Sequence, residues 1–210
     1  MPNTGVAKTL LRVVLLHGFM HTNENIRIKG AEFEKAYSEY LDVKYVVSPH
    51  LLTEPPGLVN EYNGDATDEQ VKVLEQGAKQ MFLAFLGSRE HYGNTWYFTE
   101  KPGECSLCQK HAEVIGLEES IKVIIDGCKE HEADGVIGFS QGGLMAVLAA
   151  QRAMQDDSLG WKPKFVMLIN AAMTFNENLR KLADAGNQLN IPSLHVVTRV
   201  FLRTTACIPQ

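Results

Sequence analysis

One serine stands between two glycines in the sequence Gly138-Phe139-Ser140-Gln141-Gly142. A serine at a tight turn between a strand and a helix can attack an acyl carbon, because the turn lifts its oxygen clear of the sheet. Glycine at positions 138 and 142 removes the side chains that would collide with neighbouring backbone as the chain reverses. The pattern therefore predicts acyl transfer through Ser140, provided that a strand precedes it and a helix follows.

The residues on either side of Ser140 supply both elements. Residues 134–139 form a short apolar run of strand type, and from Gln141 to about Gln155 apolar residues occupy nearly every side of a helix over its first turns. A helix that is apolar all round belongs in the interior of a protein. We therefore expect Ser140 to lie at the turn between a buried strand and a buried helix.

The rest of the chain alternates between strand and helix patterns, which is typical of a parallel sheet covered by helices on both faces. We predict further strands at 12–16, 43–47, 164–169 and 193–197, and helices from Gly30 to 41 and at 68–86, 116–131 and 176–185. The predicted fold class is α/β, with a central, mostly parallel sheet between two layers of helices. We expect one domain over residues 1–210.

The segment from Asn94 to Phe98 is rich in aromatic residues. Large rigid rings supply much contact area for an apolar ligand, so this segment could line a pocket or form a lid. The same rings could equally cover an edge of the sheet, because cores and pockets recruit the same residue types. The sequence leaves both interpretations open.

Bulk properties exclude several classes of function. The chain has 210 residues and a formal net charge of -5, which gives no electrostatic reason to expect nucleic acid or an anionic membrane as a partner. Residues 1–5 lack the basic start of a signal peptide, and no apolar run approaches the length of a membrane span. Four scattered cysteines make no disulfide framework in a chain of this length. We expect a cytoplasmic protein, and the oligomeric state stays open.

With these elements in place, the sequence resembles the family of small serine hydrolases of the α/β-hydrolase fold that includes the yeast family of serine hydrolases and the ovarian-cancer-associated gene 2 protein. The matching stretches, in chain order, are Arg12 to Phe19, Ser48-Pro49-His50, the segment around Trp96, Asp134 to Gly142, Pro163-Lys164-Phe165 and Ile191 to Val196. They cover roughly residues 10–197. The resemblance implies an esterase or thioesterase that acts on a small acyl ester through a Ser-Asp-His triad, with no metal or organic cofactor.

Serine hydrolysis also needs two backbone N–H groups that stabilise the negative charge on the acyl oxygen. In this fold the residue after the nucleophile supplies one donor, and the loop after the first strand supplies the other. We therefore predict that the amides of Gln141 and Phe19 form the oxyanion hole. His17 and His50 lie near this edge of the sheet, and for His17 we favour a supporting role over contact with substrate.

The partners of the serine are harder to find. The acids that follow Ser140 in the sequence are Asp156, Asp157, Glu177 and Asp184, and none lies directly at a predicted strand end. An asparagine, Asn170, follows the predicted strand 164–169. His195 lies inside a predicted strand, so we interpret it as a structural histidine, because a base must reach within hydrogen-bonding distance of the nucleophile.

The family pattern places its acid just after Val196 and its base one strand later. We therefore expect the last strand and helix of the family to be missing. We also expect residues 198–210 to be an atypical tail, produced by alternative splicing or a shifted reading frame. The alternative function is accordingly a catalytically impaired isoform, or a non-catalytic relative that binds an acyl compound or a protein.

One further motif has the spacing of half a zinc site, because Cys105 and Cys108 are followed by His111. A structural zinc site takes four ligands, and no second pair lies nearby in the sequence. We therefore predict no metal.

Overall fold

A five-stranded parallel sheet forms the centre of the molecule in a computed structural model that describes residues 9–53, 92–99, 101–103, 112–171, 176–185 and 189–197. In chain order the described elements are β1 (Leu11–Leu16), α1 (Asn23–Tyr37), β2 (Leu41–Val46), β3 (His50–Leu51), β4 (Asn94–Thr95), β5 (Phe98–Thr99), β6 (Val114–Ile115), α2 (Leu117–Glu130), β7 (Gly135–Phe139), α3 (Gln141–Gln155), a 3-10 turn (Asp157–Leu159), β8 (Phe165–Ile169), α4 (Glu177–Ala185) and β9 (Ser193–Val196).

The strand order in the sheet is β2-β1-β7-β8-β9, and every neighbouring pair is parallel. The chain turns from β1 to β2 on one side and continues from β7 to β9 on the other. In such sheets a ligand site forms at the carboxyl ends of the two strands where the order reverses. Here those strands are β1 and β7, so the topology points to the loop after β1 and to Ser140.

Apolar residues cover both faces of the sheet. On one face α2 and α3 pack over β1, β7 and β8 around side chains such as Val136 and Met145, which are fully buried. On the other face α1 packs over a smaller cluster that includes Val13, Ile26 and Ile137. These helices on two sides of a parallel sheet confirm the predicted α/β-hydrolase-like class.

Most predicted elements are present with shifts of one or two residues at their ends, and α3 has the bounds that its pattern indicated. The prediction for α1 is wrong at both ends, since the helix runs from Asn23 to Tyr37 and not from Gly30 to 41, where Leu41 begins β2. Thr22 caps the helix by accepting a hydrogen bond from the Asn25 amide at 3.3 Å. Ile28 in the first turns of α1 is exposed, so the apolar spacing that predicts the helix does not extend to its first residues.

The aromatic segment lies in the core and joins two short antiparallel ribbons, β3-β4 and β5-β6, that no sequence pattern predicted. Trp96, Tyr97 and Phe98 are all buried. Of the two interpretations of these rings, the structure favours packing over the sheet. Two-residue strands carry too short a pattern to be recognised from sequence.

Several predicted features lie outside the described residues. They are the helix at 68–86, the cysteines Cys105 and Cys108 with His111, and the tail 198–210. Among the helices that are described, none has both the length and the apolar character required to cross a bilayer.

Candidate active site

Ser140 forms the junction between β7 and α3. Its backbone has φ 52° and ψ -119°, a combination that non-glycine residues rarely adopt. Such a conformation costs of order 1–3 kcal/mol and persists only where its surroundings hold it in place. The Ser140 amide donates to the Ile169 carbonyl of the neighbouring strand at 3.0 Å, and its own carbonyl accepts from the Gly143 amide at 2.9 Å. Hydrogen bonds to β8 and to the first turn of α3 thus stabilise the strained backbone of Ser140.

The two glycines of the motif lie where backbone meets backbone. A Cβ at Gly138 would overlap the carbonyl oxygen of Gly142. A Cβ at Gly142 would overlap the His17 carbonyl oxygen and lie 2.8 Å from that of Leu16. The start of α3 therefore packs directly on the carboxyl end of β1, and only glycine allows this approach.

The loop after β1 runs beside the serine. A Cβ at Gly18 would lie 3.0 Å from a ring carbon of Phe139 and 3.1 Å from Ser140 Cβ. Phe19 follows as a partly buried residue, and Met20 takes a left-handed φ of 63°. This loop, which carries the predicted donor Phe19, is therefore in contact with the turn.

The side chain of Gln141 is buried and points away from solvent. Its Oε1 accepts a hydrogen bond from the Trp96 amide at 3.1 Å, and its Nε2 donates to Thr95 Oγ1 at 3.1 Å. The side chain thus ties α3 to the aromatic segment, whereas its backbone amide belongs to the first helical turn. Amides of the first turn have no partner within their helix, so they can serve an anion there.

His17 is a buried structural residue. Its Nδ1 bonds the Gly18 carbonyl at 2.7 Å, and its Nε2 accepts from the Ser48 amide at 3.0 Å. Its ring also stacks on Trp96, with centroids 4.8 Å apart. Burial lowers the pKa of His17 from 6.5 to about 4, although the bond to Gly18 opposes that shift. The ring is neutral at pH 7, and both nitrogens are engaged by backbone.

The other histidines singled out from sequence do not reach the serine. His50 is buried with its Nε2 bonded to the Gly116 carbonyl at 2.8 Å. His195 lies in β9, which is two strands from β7, and is exposed where we had expected a packed side chain. β9 is the outermost strand of the sheet that the described residues form, and an outer strand leaves more surface open than a central one, which accounts for the difference.

Two of the later acids, Asp156 and Asp157, lie away from Ser140. Asp156 and Asp157 follow the far end of α3, about 20 Å along a helix of this length. Asp156 Oδ1 accepts from the Ser158 amide at 2.9 Å, and Asp157 pairs with Lys162 at 2.6 Å. The described residues hold no group of three or more His, Cys, Asp or Glu that could bind a metal ion.

Sequence reasoning missed His21. It lies in the loop after β1, is nearly fully buried, and packs edge-on against Phe139 with ring centroids 5.8 Å apart. A Cβ at Gly18 would lie 3.2 Å from His21 Nδ1, the same glycine position that contacts Ser140. The available signal was its place directly after a parallel strand at the carboxyl edge of the sheet.

A cavity of about 280 Å³ opens beside this loop, between α1 and the sheet. Its walls are mostly apolar, and they include His17, Gly18 and His21 from the loop that contacts the Ser140 turn. The lining side chains include Leu15, Ile26, Phe33, Phe139 and Ile169. A cavity of this kind suits an apolar ligand group of modest size.

Comparison with known proteins identifies a family of serine hydrolases. The family model described as Serine hydrolase (FSH1) matches residues 7–199. The chain is 26% identical over 196 residues to the human Esterase OVCA2, covering 90% of this chain and 76% of the relative. It is 25% identical to the cattle Esterase OVCA2, covering 97% and 80%, and 25% identical to an esterase of Aedes aegypti, covering 89% of this chain but only 58% of that relative.

Proposed function

Because the chain belongs to the FSH1 serine hydrolase family, we propose that it is an esterase that cleaves small acyl esters or thioesters through Ser140. Relatives named as esterases support the reaction class. The assignment of Ser140 rests on its own geometry. The observation that carries it is the strained backbone of Ser140 at the junction of β7 and α3, beside the loop that follows β1.

Strain at this position has a physical use. A serine held at φ 52° presents its hydroxyl at the carboxyl edge of the sheet, where an acyl carbon can approach. Attack forms a bond from Oγ to the acyl carbon, and the acyl oxygen gains negative charge. The amides of Gln141 and Phe19 are the proposed donors to that oxygen, in accord with the contact between the loop and the turn.

The cavity beneath the loop supports an acyl group as the part of the substrate that is held. Burying an acyl chain against Leu15, Phe33 and Ile169 removes apolar surface from water, at about 25 cal/mol per Å². The cavity volume of about 280 Å³ limits that group to a short or medium chain. This is the substrate class that we propose.

The same cavity favours a second candidate function, binding without turnover. An apolar cavity retains an acyl compound whether or not a base is present. Both ring nitrogens of His17 bond to backbone, so His17 does not supply the base. The residue after β8 is Asn170, so that position does not supply the acid. A binding protein of this kind would take up the ester and leave it intact.

One experiment separates the two functions. The protein is treated with a fluorophosphonate probe and digested, and the labelled peptide is identified by mass spectrometry, alongside the hydrolysis rate of p-nitrophenyl acetate. An esterase is labelled at Ser140 and hydrolyses the ester faster than the Ser140→Ala variant. Loss of the nucleophile should remove nearly all activity.

Ser158→Ala is the matched control, since Ser158 is exposed in the turn after α3. It should keep both labelling and rate. A folded protein that takes no label and hydrolyses no faster than Ser140→Ala would sink the esterase proposal and favour binding.

A further inference from the structure

The amide side chain of Gln141 is anchored at both ends to the aromatic segment. Its Nε2 donates to Thr95 Oγ1 at 3.1 Å, and its Oε1 accepts from the Trp96 amide at 3.1 Å. Thr95 is fully buried, and Gln141 is nearly so. A side-chain amide that is bonded at both ends in the interior of a protein is held in one position.

The hydroxyl of Thr95 also fixes the orientation of this amide. The shorter of its two possible donations is to the Tyr97 carbonyl at 2.9 Å, which leaves the lone pairs of Oγ1 for Gln141 Nε2. The Trp96 amide is a donor, so it requires the oxygen end of the Gln141 side chain opposite it. A reversed side-chain amide would place two donors against each other at Trp96.

The residue before Thr95 holds the loop after β1. The Met20 amide donates to the Asn94 carbonyl at 2.9 Å, and the Asn94 amide donates to the His21 carbonyl at 3.0 Å. Phe19 directly precedes Met20 in this loop. The two residues of β4 therefore bond in opposite directions: Asn94 to the loop that carries Phe19, and Thr95 to the residue that follows the nucleophile.

We propose that Thr95 is a positioning residue for the oxyanion hole, an inference that rests on the proposed esterase function. Through the Gln141 side chain, Thr95 holds the first residue of α3 at a fixed place relative to the loop after β1. The proposed donors are the backbone amides of Gln141 and Phe19, and both must point at one acyl oxygen as Ser140 Oγ attacks. Thr95 sets the spacing of these two amides and takes no part in the bond changes.

Loss of this anchor should affect the transition state more than the bound substrate. Negative charge on the acyl oxygen builds only as the bond from Ser140 Oγ forms, so displaced donors weaken binding of the transition state in particular. The cavity that we propose for the acyl group is lined by other residues, such as Phe33 and Ile169. A variant without the anchor should therefore lose kcat and retain KM.

Two substitutions of Thr95 test the role of its hydroxyl. Thr95→Val replaces the hydroxyl by a methyl group of similar size, and it should lower kcat for p-nitrophenyl acetate about 10-fold to 100-fold, with KM within about twofold of wild type. This loss is smaller than that expected when an oxyanion donor is removed outright. Thr95→Ser keeps the hydroxyl and should retain most of the wild-type kcat.

The matched control is Thr99→Val. It removes the hydroxyl of another buried threonine of the same segment, in β5, which pairs with β6. Both valine variants should unfold at lower urea concentration than wild type, because each loses a buried hydroxyl. Thr99→Val should nevertheless keep the wild-type kcat, whereas Thr95→Val should not.

A butyl trifluoromethyl ketone reports on the oxyanion itself. Ser140 Oγ bonds the carbonyl carbon and releases its proton to solvent, and the carbonyl π electrons become the negative charge on the oxygen. The inhibition constant of this ketone should rise in Thr95→Val by about the factor by which kcat falls. The inhibition constant of the corresponding alcohol, which forms no such bond, should stay at the wild-type value.

A variant on the other side of the contact decides the question if Thr95→Val does not fold. Gln141→Met removes the side-chain amide and keeps the backbone amide, so it should lower kcat with little change in KM. Where both variants fold, the double variant should lose no more than the larger of the two single losses, because both substitutions break the same contact.

Three results would overturn the role of Thr95. One is a wild-type kcat in folded Thr95→Val, or in Gln141→Met where only that variant folds. Another is an equal loss of kcat in Thr95→Ser or in Thr99→Val, and the third is a double variant whose losses add. In each case labelling of Ser140 and hydrolysis by the wild-type protein leave the esterase function standing. A wild-type protein that neither labels nor hydrolyses removes both proposals.

Discussion

At the scale of single residues, Ser140 and His17 lie at the same edge of the sheet, and their surroundings give them different properties. Ser140 keeps a strained backbone at φ 52°, and strain of this kind is retained at sites where chemistry needs it. His17 binds a proton only in acid, because burial lowers its pKa to about 4. The surroundings therefore determine the backbone conformation of Ser140 and the protonation of His17.

His17 predicts a specific loss of stability in acid. The folded pKa is about 4, below the ordinary value of 6.5, so the unfolded chain binds a proton at a higher pH than the folded chain does. The free energy of unfolding should therefore fall as pH drops from about 6.5 toward 4, by at most roughly 3 kcal/mol. Urea midpoints measured across this range for wild type and His17→Gln give the test.

His17→Gln should be less stable at pH 7, because it loses the stack on Trp96, and its midpoint should fall less steeply in acid. The control His195→Gln should keep the wild-type slope, because that side chain is exposed. An unchanged slope in His17→Gln would show that other groups cause the acid sensitivity.

At the scale of elements, the amino ends of β1, β7 and β8 are joined by one carboxylate. Asp134 Oδ2 accepts from the Arg12 amide at 2.9 Å, and Oδ1 accepts from Lys164 Nζ at 2.6 Å. Backbone bonds from Asp134 to Arg12 and from Lys164 to Asp134 repeat the connection at 2.7 Å each. These contacts set the register of the strand that ends at Ser140.

Removing that charge should loosen the sheet. The bonds to Lys164 and to the Arg12 amide hold the pKa of Asp134 below its usual value. Hydrogen bonds to charged groups contribute about 1.5–3 kcal/mol, so Asp134→Asn should lower the free energy of unfolding by up to that amount at pH 7. The difference from wild type should persist above about pH 4 and shrink as pH falls through the lowered pKa.

Asp126→Asn is the control, because Asp126 pairs with Lys122 on the exposed face of α2. Exposed pairs of this kind contribute about 0.2–1 kcal/mol. Equal losses in the two variants, measured by urea unfolding at pH 7, would contradict a special role for Asp134.

At the scale of the whole molecule, Trp96 connects the parts that form the site. Its Nε1 donates to the His17 carbonyl at 2.7 Å, and its backbone amide donates to Gln141 Oε1 at 3.1 Å. Its carbonyl accepts from Ser120 Oγ of α2 at 2.6 Å. One fully buried residue thus joins the loop after β1, through its side chain, to both helices of the larger core, through its backbone.

Trp96→Phe should reduce stability and activity together. The variant leaves the His17 carbonyl without its indole donor, which costs about 1–3 kcal/mol, and the smaller ring adds a cavity term. Because that carbonyl packs against Gly142, fluorophosphonate labelling of Ser140 should also slow. Urea unfolding and the labelling rate under native conditions measure the two effects.

The control is Trp161→Phe. Trp161 is also buried, and its Nε1 donates to the Ala133 carbonyl at 2.8 Å, near the start of β7 and away from Ser140. It should lose stability and keep its labelling rate. Slower labelling in both variants alike would assign the effect to general loosening of the core.

Local pattern was enough to predict most of the fold. The apolar runs of β1, β7 and β8 and the apolar helix α3 carry their own periodicity, so their type and approximate bounds follow from neighbouring residues. The start of α1 did not, because a cap at Thr22 determines it and the apolar spacing there is weak. The ribbons β3-β4 and β5-β6 depend on partners distant in sequence.

For the site, the sequence alone determined that Ser140 lies at a turn between glycines, since only glycine permits the backbone contacts of positions 138 and 142. The tertiary structure decided how each nearby histidine is held. His17, His21 and His50 all follow strands at the same edge, and nothing in their spacing distinguishes them. Their surroundings differ, because His17 accepts from the Ser48 amide, the ring of His21 packs on Phe139 and His50 bonds the Gly116 carbonyl, and these contacts form only when the chain is folded.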